Sequence, residues 1–203
     1  MNAELAYLFR HALLRDAAYQ LQLPGGRTRL HGLAFEAIEA MAGGRPAELS
    51  PLGEAAPAPF REHATDAFAE DLARHAHIAQ AWVAKWPNAA KLYLRRAAEL
   101  AQIGYQSALA VRCWRELAEL STGKERGEAL LCAGIIALRS GKNDVAETLL
   151  VRSANCFREA MDQLREGVAL TELAAAYARQ ARFGKCERTC ETASALFLQV
   201  GDR

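Results

Sequence analysis

The feature that most constrains this 203-residue chain is that part of it occurs twice. The run Ala129-Leu130-Leu131-Cys132-Ala133-Gly134 is echoed by Ala169-Leu170-Thr171-Glu172-Leu173-Ala174, an offset of about 40 residues. At that offset Gly141 falls on Ala181, Ala146 on Cys186 and Leu150 on Cys190. A unit this short cannot bury its apolar face alone, so it stacks on its neighbours, and the repeat restricts the fold to a one-dimensional array. The units read as helical: 51% of residues are apolar but only 7% aromatic, with Ala dominant, which favours closely packed helices over a sheet.

Punctuation residues divide the array. Asn88 is placed to cap a helix over 89–103, and Gly104 is placed to end it in the left-handed conformation. Its partner runs over 106–120. Thr122 and Glu125 have capping-box spacing for a helix that continues to Ser140 and stops at Gly141. Its partner spans 144–161; Asp162 then caps a helix over 165–180, and 185–200 closes the chain. The three units are 88–121, 124–161 and 165–203. Before them, Phe68, Leu72, His75, Ala76, Ala79 and Trp82 form the stripe of a helix over 61–83, stopped by Trp86-Pro87. A Gly/Pro-rich linker over 43–60 separates these helical repeats (61–203) from a leading segment (1–42). That segment holds a helix over 27–41, with Leu30, Ala34, Ile38 and Met41 on one face, and a helix over 11–22 ended by Leu23-Pro24-Gly25-Gly26. Residues 5–10 read equally as a strand remnant or a first helical turn.

Leu130, Gly134, Gly141 and Ala146 in one unit, and Leu170, Ala174, Tyr177 and Ala193 in the next, resemble the tetratricopeptide repeat in a longer-period form. A divergent earlier unit uses Ala97, Gly104 and Ala108, a few residues short of the same offset. The resemblance implies an all-α fold: a tetratricopeptide-like right-handed superhelix of antiparallel helix pairs, an α-solenoid with an N-terminal helical lead-in. It also implies a concave groove lined by Glu128, Leu131, Ile135 and Arg139 from one unit and Thr171, Ala175 and Arg179 from the next. The sequence departs from the family where aromatic knobs are replaced by Leu, Ala or Cys, and where no Pro separates the units. Arg139 and Arg179, one repeat apart, read either as two guanidinium forks for an acidic segment or as exposed helix-end cations.

The first half carries a second resemblance. Phe9-Arg10-His11-Ala12-Leu13-Leu14-Arg15-Asp16-Ala17-Ala18-Tyr19 with Arg29-Leu30-His31, then Leu72-Ala73-Arg74-His75 and Ala97-Ala98, resemble the C-terminal helical arm of bacterial signal-transduction (STAND/AAA-type) ATPase regulators. These include maltose-activator-type regulators and ATPases fused to adenylate cyclases. The resemblance implies a non-catalytic scaffold and sensor arm that binds a protein partner or neighbouring domains of a larger ATPase regulator. A small-molecule inducer held in the concave groove is the alternative. The ending Gly201-Asp202-Arg203 resembles a turn between repeats, which implies a continuing array, a covering partner, or self-association through the uncapped last unit.

Chemistry is sparse. Twenty-five Lys and Arg against 24 Asp and Glu give a net charge of +1, no field to draw in nucleic acid. The basic run 91–96, with Arg112 and Arg115, is diluted by Glu99, Glu116 and Glu119 and reads as a solvated face. No apolar stretch is long enough to span a bilayer and no signal core is present, so a cytoplasmic location without membrane contact is expected. Gly123-Lys124 and Gly141-Lys142 lack the first glycine and the hydroxyl of a phosphate-binding loop. His75 and His77 lie two apart on a helix and point to different faces, unlike a zinc-chelating pair; His75 reads as a hydrogen-bonded core residue and His63 as solvent-facing. Cys113, Cys132, Cys156, Cys186 and Cys190 form no Cys-x-x-Cys pair and read as packing residues, with a Cys186–Cys190 redox pair the lesser alternative. No catalytic, metal or cofactor residue is expected.

Overall fold

The computed structural model describes residues 17, 19–54, 58–79 and 88–201. The expected helix over 11–22 and the Phe9–Tyr19 motif lie largely outside these residues, as do Trp82 and Trp86-Pro87. The described residues contain α-helices and one 3-10 turn and no strand. In order they are α1 (Pro24–Met41), the 3-10 turn Ala64–Phe68, α2 (Ala69–Ile78), α3 (Ala89–Ile103), α4 (Ser107–Leu120), α5 (Gly123–Arg139), α6 (Asn143–Glu159), α7 (Gln163–Arg179) and α8 (Phe183–Val200). From α1 to α8 each helix packs against the next in sequence, and α5 also touches α7, the packing of an α-solenoid.

Small residues permit that stacking. Ala129, Ala133 and Ala137 lie four apart on α5 and are fully buried, as are Ala169 and Ala176 on α7 and Ala146 on α6. At three places in the array even Ala is too large, one of them Gly134, where a Cβ would sit 2.7 Å from the Leu150 side chain. A Cβ on Gly127 would sit 2.8 Å from the Phe157 ring, and one on Gly167 would sit 2.6 Å from the Phe197 ring. The same glycine-on-phenyl contact therefore recurs at the repeat offset.

The turns repeat as well. Tyr105, Gly141, Met161 and Ala181 have φ of 56°, 77°, 56° and 57°. The next amide in each case donates to a carbonyl five residues back: Gln106 to Ala101 (2.8 Å), and Lys142 to Ala137, Asp162 to Phe157 and Arg182 to Tyr177 (2.9 Å each). This is the Schellman closure, which satisfies the last carbonyls of one helix while starting the next. Gly104, expected to be left-handed, has φ −78°, and Tyr105 takes that role. The amide geometry fixes which position turns, so the conformation falls where the closure needs it and not on the nearest glycine. Asn88 and Thr122 make no side-chain cap, whereas Asp162 accepts from the Arg165 amide.

The lead-in departs from the reading of its face. Leu30 and Met41 are 53% and 89% exposed, while His31, Phe35 and Glu39 are buried. The stripe that wins contains polar residues because each has a partner inside. Tyr93 Oη donates to Glu39 Oε1 (2.6 Å), Arg45 pairs with Glu39 (2.8 Å), and Phe35 meets Tyr93 edge to face at 5.9 Å. A count of apolar residues alone misses such a face. The α2 segment is shorter than 61–83. His63 Nδ1 accepts from the Thr65 amide, and Asp66 Oδ2 accepts from the His63 amide, so a capping box starts the turn at Ala64. His63 is therefore a cap and not a solvent-facing side chain, and Phe68 is 46% exposed.

Candidate functional site

The expected groove residues fall on α5 and α7. Glu128 and Leu131 are buried, Ile135 is half-buried, and Arg139, Thr171, Ala175 and Arg179 are exposed. They divide into a covered part, Glu128, Leu131 and Ile135 of α5, and an open part made by Arg139 at the end of α5 with Thr171, Ala175 and Arg179 of α7.

Glu128 is covered from two sides. Arg165 of α7 binds both its carboxylate oxygens through Nε and Nη2, a bidentate fork that staples α5 to α7. On its other side lies Gly53, where a Cβ would overlap the Glu128 carboxylate. The segment expected to be a flexible linker thus lies against this face. Arg95 of α3 holds it by donating from Nη1 to the Ser50 carbonyl while its Nε pairs with Glu99 at 2.8 Å. Lys91 Nζ reaches Glu125 at 2.6 Å, joining α3 to α5.

The basic run is therefore no solvated face. Arg96 is 3% exposed and its guanidinium pairs with Asp66 at 2.5 Å, donates to the Arg61 carbonyl at 2.7 Å and stacks on the Phe60 ring at 4.9 Å. Sequence reading missed Asp66, Arg95 and Arg96 because their partners come from 30 or more residues away. The one local signal was an arginine at a position flanked by buried Ala and Leu.

Arg139 and Arg179 do not act alike. Arg179 Nη1 donates to the Leu138 carbonyl at 2.6 Å, adding a charged donor to an acceptor at the end of α5 that also takes the Gly141 amide at 3.2 Å. Thr171 Oγ1 donates back to the Gly167 carbonyl at 2.9 Å. Among the described residues the open part of the face presents Arg139, Ala175 and the remaining edge of the Arg179 fork.

Burial pushes the Cys132 thiol up to about 12 and the Cys113 thiol up to about 11, aided by neighbouring carboxylates. Neither is a thiolate nucleophile near neutral pH. Cys190 is exposed, in contrast to its reading as a packing residue. Desolvation lowers both His31 and His75, and the Arg74 guanidinium lowers them further. Their Nδ1 atoms lie 2.6 Å apart, and Tyr19 Oη is 2.9 Å from His31 Nε2. Neutral rings satisfy both bonds, because a doubly protonated pair would point donor at donor.

A cavity of about 570 Å³ opens between α2 and α4, away from this face, and its charged lining is largely paired, with Glu70 on Arg112 and Asp71 on Arg74. Among the described residues no three or more His, Cys, Asp or Glu side chains are placed to hold a metal ion, and no helix is long and apolar enough to cross a membrane. Comparison with protein-family models, with curated proteins and with solved structures finds no match.

Proposed function

We propose that the chain is a non-catalytic interaction arm: a degenerate tetratricopeptide-like superhelix of three helix pairs that holds a protein segment along the face formed by α3, α5 and α7. One observation carries this reading. That face already holds polypeptide, with Arg95 gripping a backbone carbonyl and Glu128 facing a glycine. Backbone capture of this kind is indifferent to most side chains, as suits a scaffold surface. The resemblance of 9–31 and 72–98 to the arms of signal-transduction ATPase regulators makes a neighbouring domain of such a regulator, or a protein that it senses, the expected partner.

A photo-crosslinking residue at Ala175 tests this. A discrete adduct is expected from the folded chain, and its yield should fall at least tenfold on combined Arg139→Ala and Arg179→Ala substitution. A folded chain that yields no adduct, or an adduct indifferent to both arginines, would overturn the reading.

A further inference from the structure

Between α1 and the turn before α2 the described residues are 45–54 and 58–63, and each of these two stretches carries an anchor. At the start, Arg45 pairs with Glu39 at 2.8 Å, lies over the Phe35 ring at 5.4 Å, and is followed by buried Pro46. At the end, Arg96 holds the Phe60 ring and the Arg61 carbonyl. Between these anchors the chain dips onto the array as a tight turn. The Glu54 amide donates weakly to the Pro51 carbonyl at 3.4 Å, and Gly53 has φ +81°, the value a type II turn demands at its third position. Half-buried Leu52 packs against the core, and Ser50 Oγ accepts from the Ala58 amide at 3.1 Å.

The anchors and the turn differ in kind. The anchors use buried ion pairs and ring contacts. The turn is held by the Arg95 bond, a half-buried leucine and a glycine seated against Glu128. It does not fill its seat: a cavity of about 320 Å³ remains beside it, bounded by Leu49, Leu52, Leu92, Arg95 and Leu117. The contacts that seat the turn are separate from those of either anchor, and few residues lie between the anchors, so loop closure adds little to the cost of opening and reclosing.

We infer that the Ser50–Glu54 turn is a displaceable plug, occupying in cis the seat between Arg95 and Glu128 at which the array receives a Leu-Gly-type turn from a partner chain. The inference rests on the interaction-arm reading and gives it a closed state and a ligand chemistry. The entering segment offers a carbonyl to Arg95, an aliphatic side chain to the Leu52 seat, and a residue without a Cβ opposite Glu128. A tethered plug competes at millimolar effective concentration, so a partner must outbid it or bind first at the open part.

The test uses a fluorescent synthetic peptide spanning residues 45–60 and the full chain in which 49–54 is replaced by Gly-Ser repeats of equal length. The plug-free chain, folded by circular dichroism, is expected to bind this peptide at least tenfold more tightly than the native chain does. Peptide carrying Gly53→Val should bind at least tenfold more weakly than the unaltered peptide. Equal binding by both proteins, indifference to Gly53→Val, or no binding by the folded plug-free chain would overturn the inference. Should that chain fail to fold, hydrogen exchange on the native chain decides. The amides of 52–54 are expected to exchange at least a hundredfold faster than those of α5, and protection equal to α5 makes the turn a fixed part of the core. A plug-free chain that binds the peptide but yields no crosslink from Ala175 would leave the seat standing and overturn only the part of the interaction-arm reading that places a partner on the open Arg139–Arg179 stretch.

Discussion

Gly127→Ala offers the sharpest test of how the helices pack. At an interior helical position Ala is favoured over Gly by about 0.8–1.0 kcal/mol, so without tertiary contact the substitution stabilises. Here the new methyl would meet the Phe157 ring at 2.8–3.1 Å, and Phe157 is fully buried with no room to retreat. Overpacking of this kind costs about 1–3 kcal/mol, so the net change expected is a loss of roughly 0–2 kcal/mol. In a Phe157→Leu background the obstruction is gone and the same Gly127→Ala change should gain about 1 kcal/mol through helix propensity. The coupling across the cycle should then be about 1–3 kcal/mol. Urea unfolding followed by circular dichroism, with all four proteins fitted to a common slope, measures it. A Gly127→Ala protein more stable than the native one by about 1 kcal/mol, with coupling near zero, would refute the packing argument. The corresponding Gly167→Ala change should cost less, because Phe197 is only half-buried and can swing outward.

Three further outcomes follow from other sites. Asp66→Ala leaves Arg96 buried without its counter-charge and should cost about 3–5 kcal/mol by chemical denaturation, while Asp66→Leu with Arg96→Met should recover much of the loss. Ala181→Gly relieves a left-handed alanine, φ 57°, and should raise stability by up to about 1 kcal/mol, seen as a rise of a few degrees in Tm. His31 and His75 have folded pKa values below the unfolded value, so the unfolded chain binds more protons in acid. Stability should be constant above about pH 6.5 and fall as pH drops through the window down to the lowered folded values, and His75→Gln should flatten that fall in pH-dependent melting curves.

The array was legible in the sequence because its determinants are local and periodic. Small residues at fixed offsets and breaks between helices placed α3 to α8 to within about two residues. The lead-in was less legible. The buried stripe of α1 contains His31 and Glu39, whose burial is tolerated only because His75, Tyr93 and Arg45 meet them, and those partners come from elsewhere in the chain. The Gly/Pro-rich stretch has the composition of a flexible tether, yet its Pro51 and Gly53 serve a turn seated on Glu128. Composition reports what backbone conformations are allowed, and only the seat decides which one is taken. On the candidate face, spacing located Glu128 and Arg179 on the right helices but gave no hint that each is spent on an internal contact.

The left-handed residues at 141, 161 and 181 recur every twenty residues, with the same closure at each. A chain built this way decouples length from design. Adding or deleting one helix with its turn reverses the direction of everything beyond it, whereas adding or deleting two restores it. Only duplications of about forty residues are silent to the geometry of the neighbours, so a gene of this kind can grow by copying and can tolerate loss in the same step. The short first pair, with turns only 36 residues apart from Tyr105 to Gly141, breaks that rule. It marks the place where the copies stop being interchangeable and where α3 instead bears the burden of holding the lead-in.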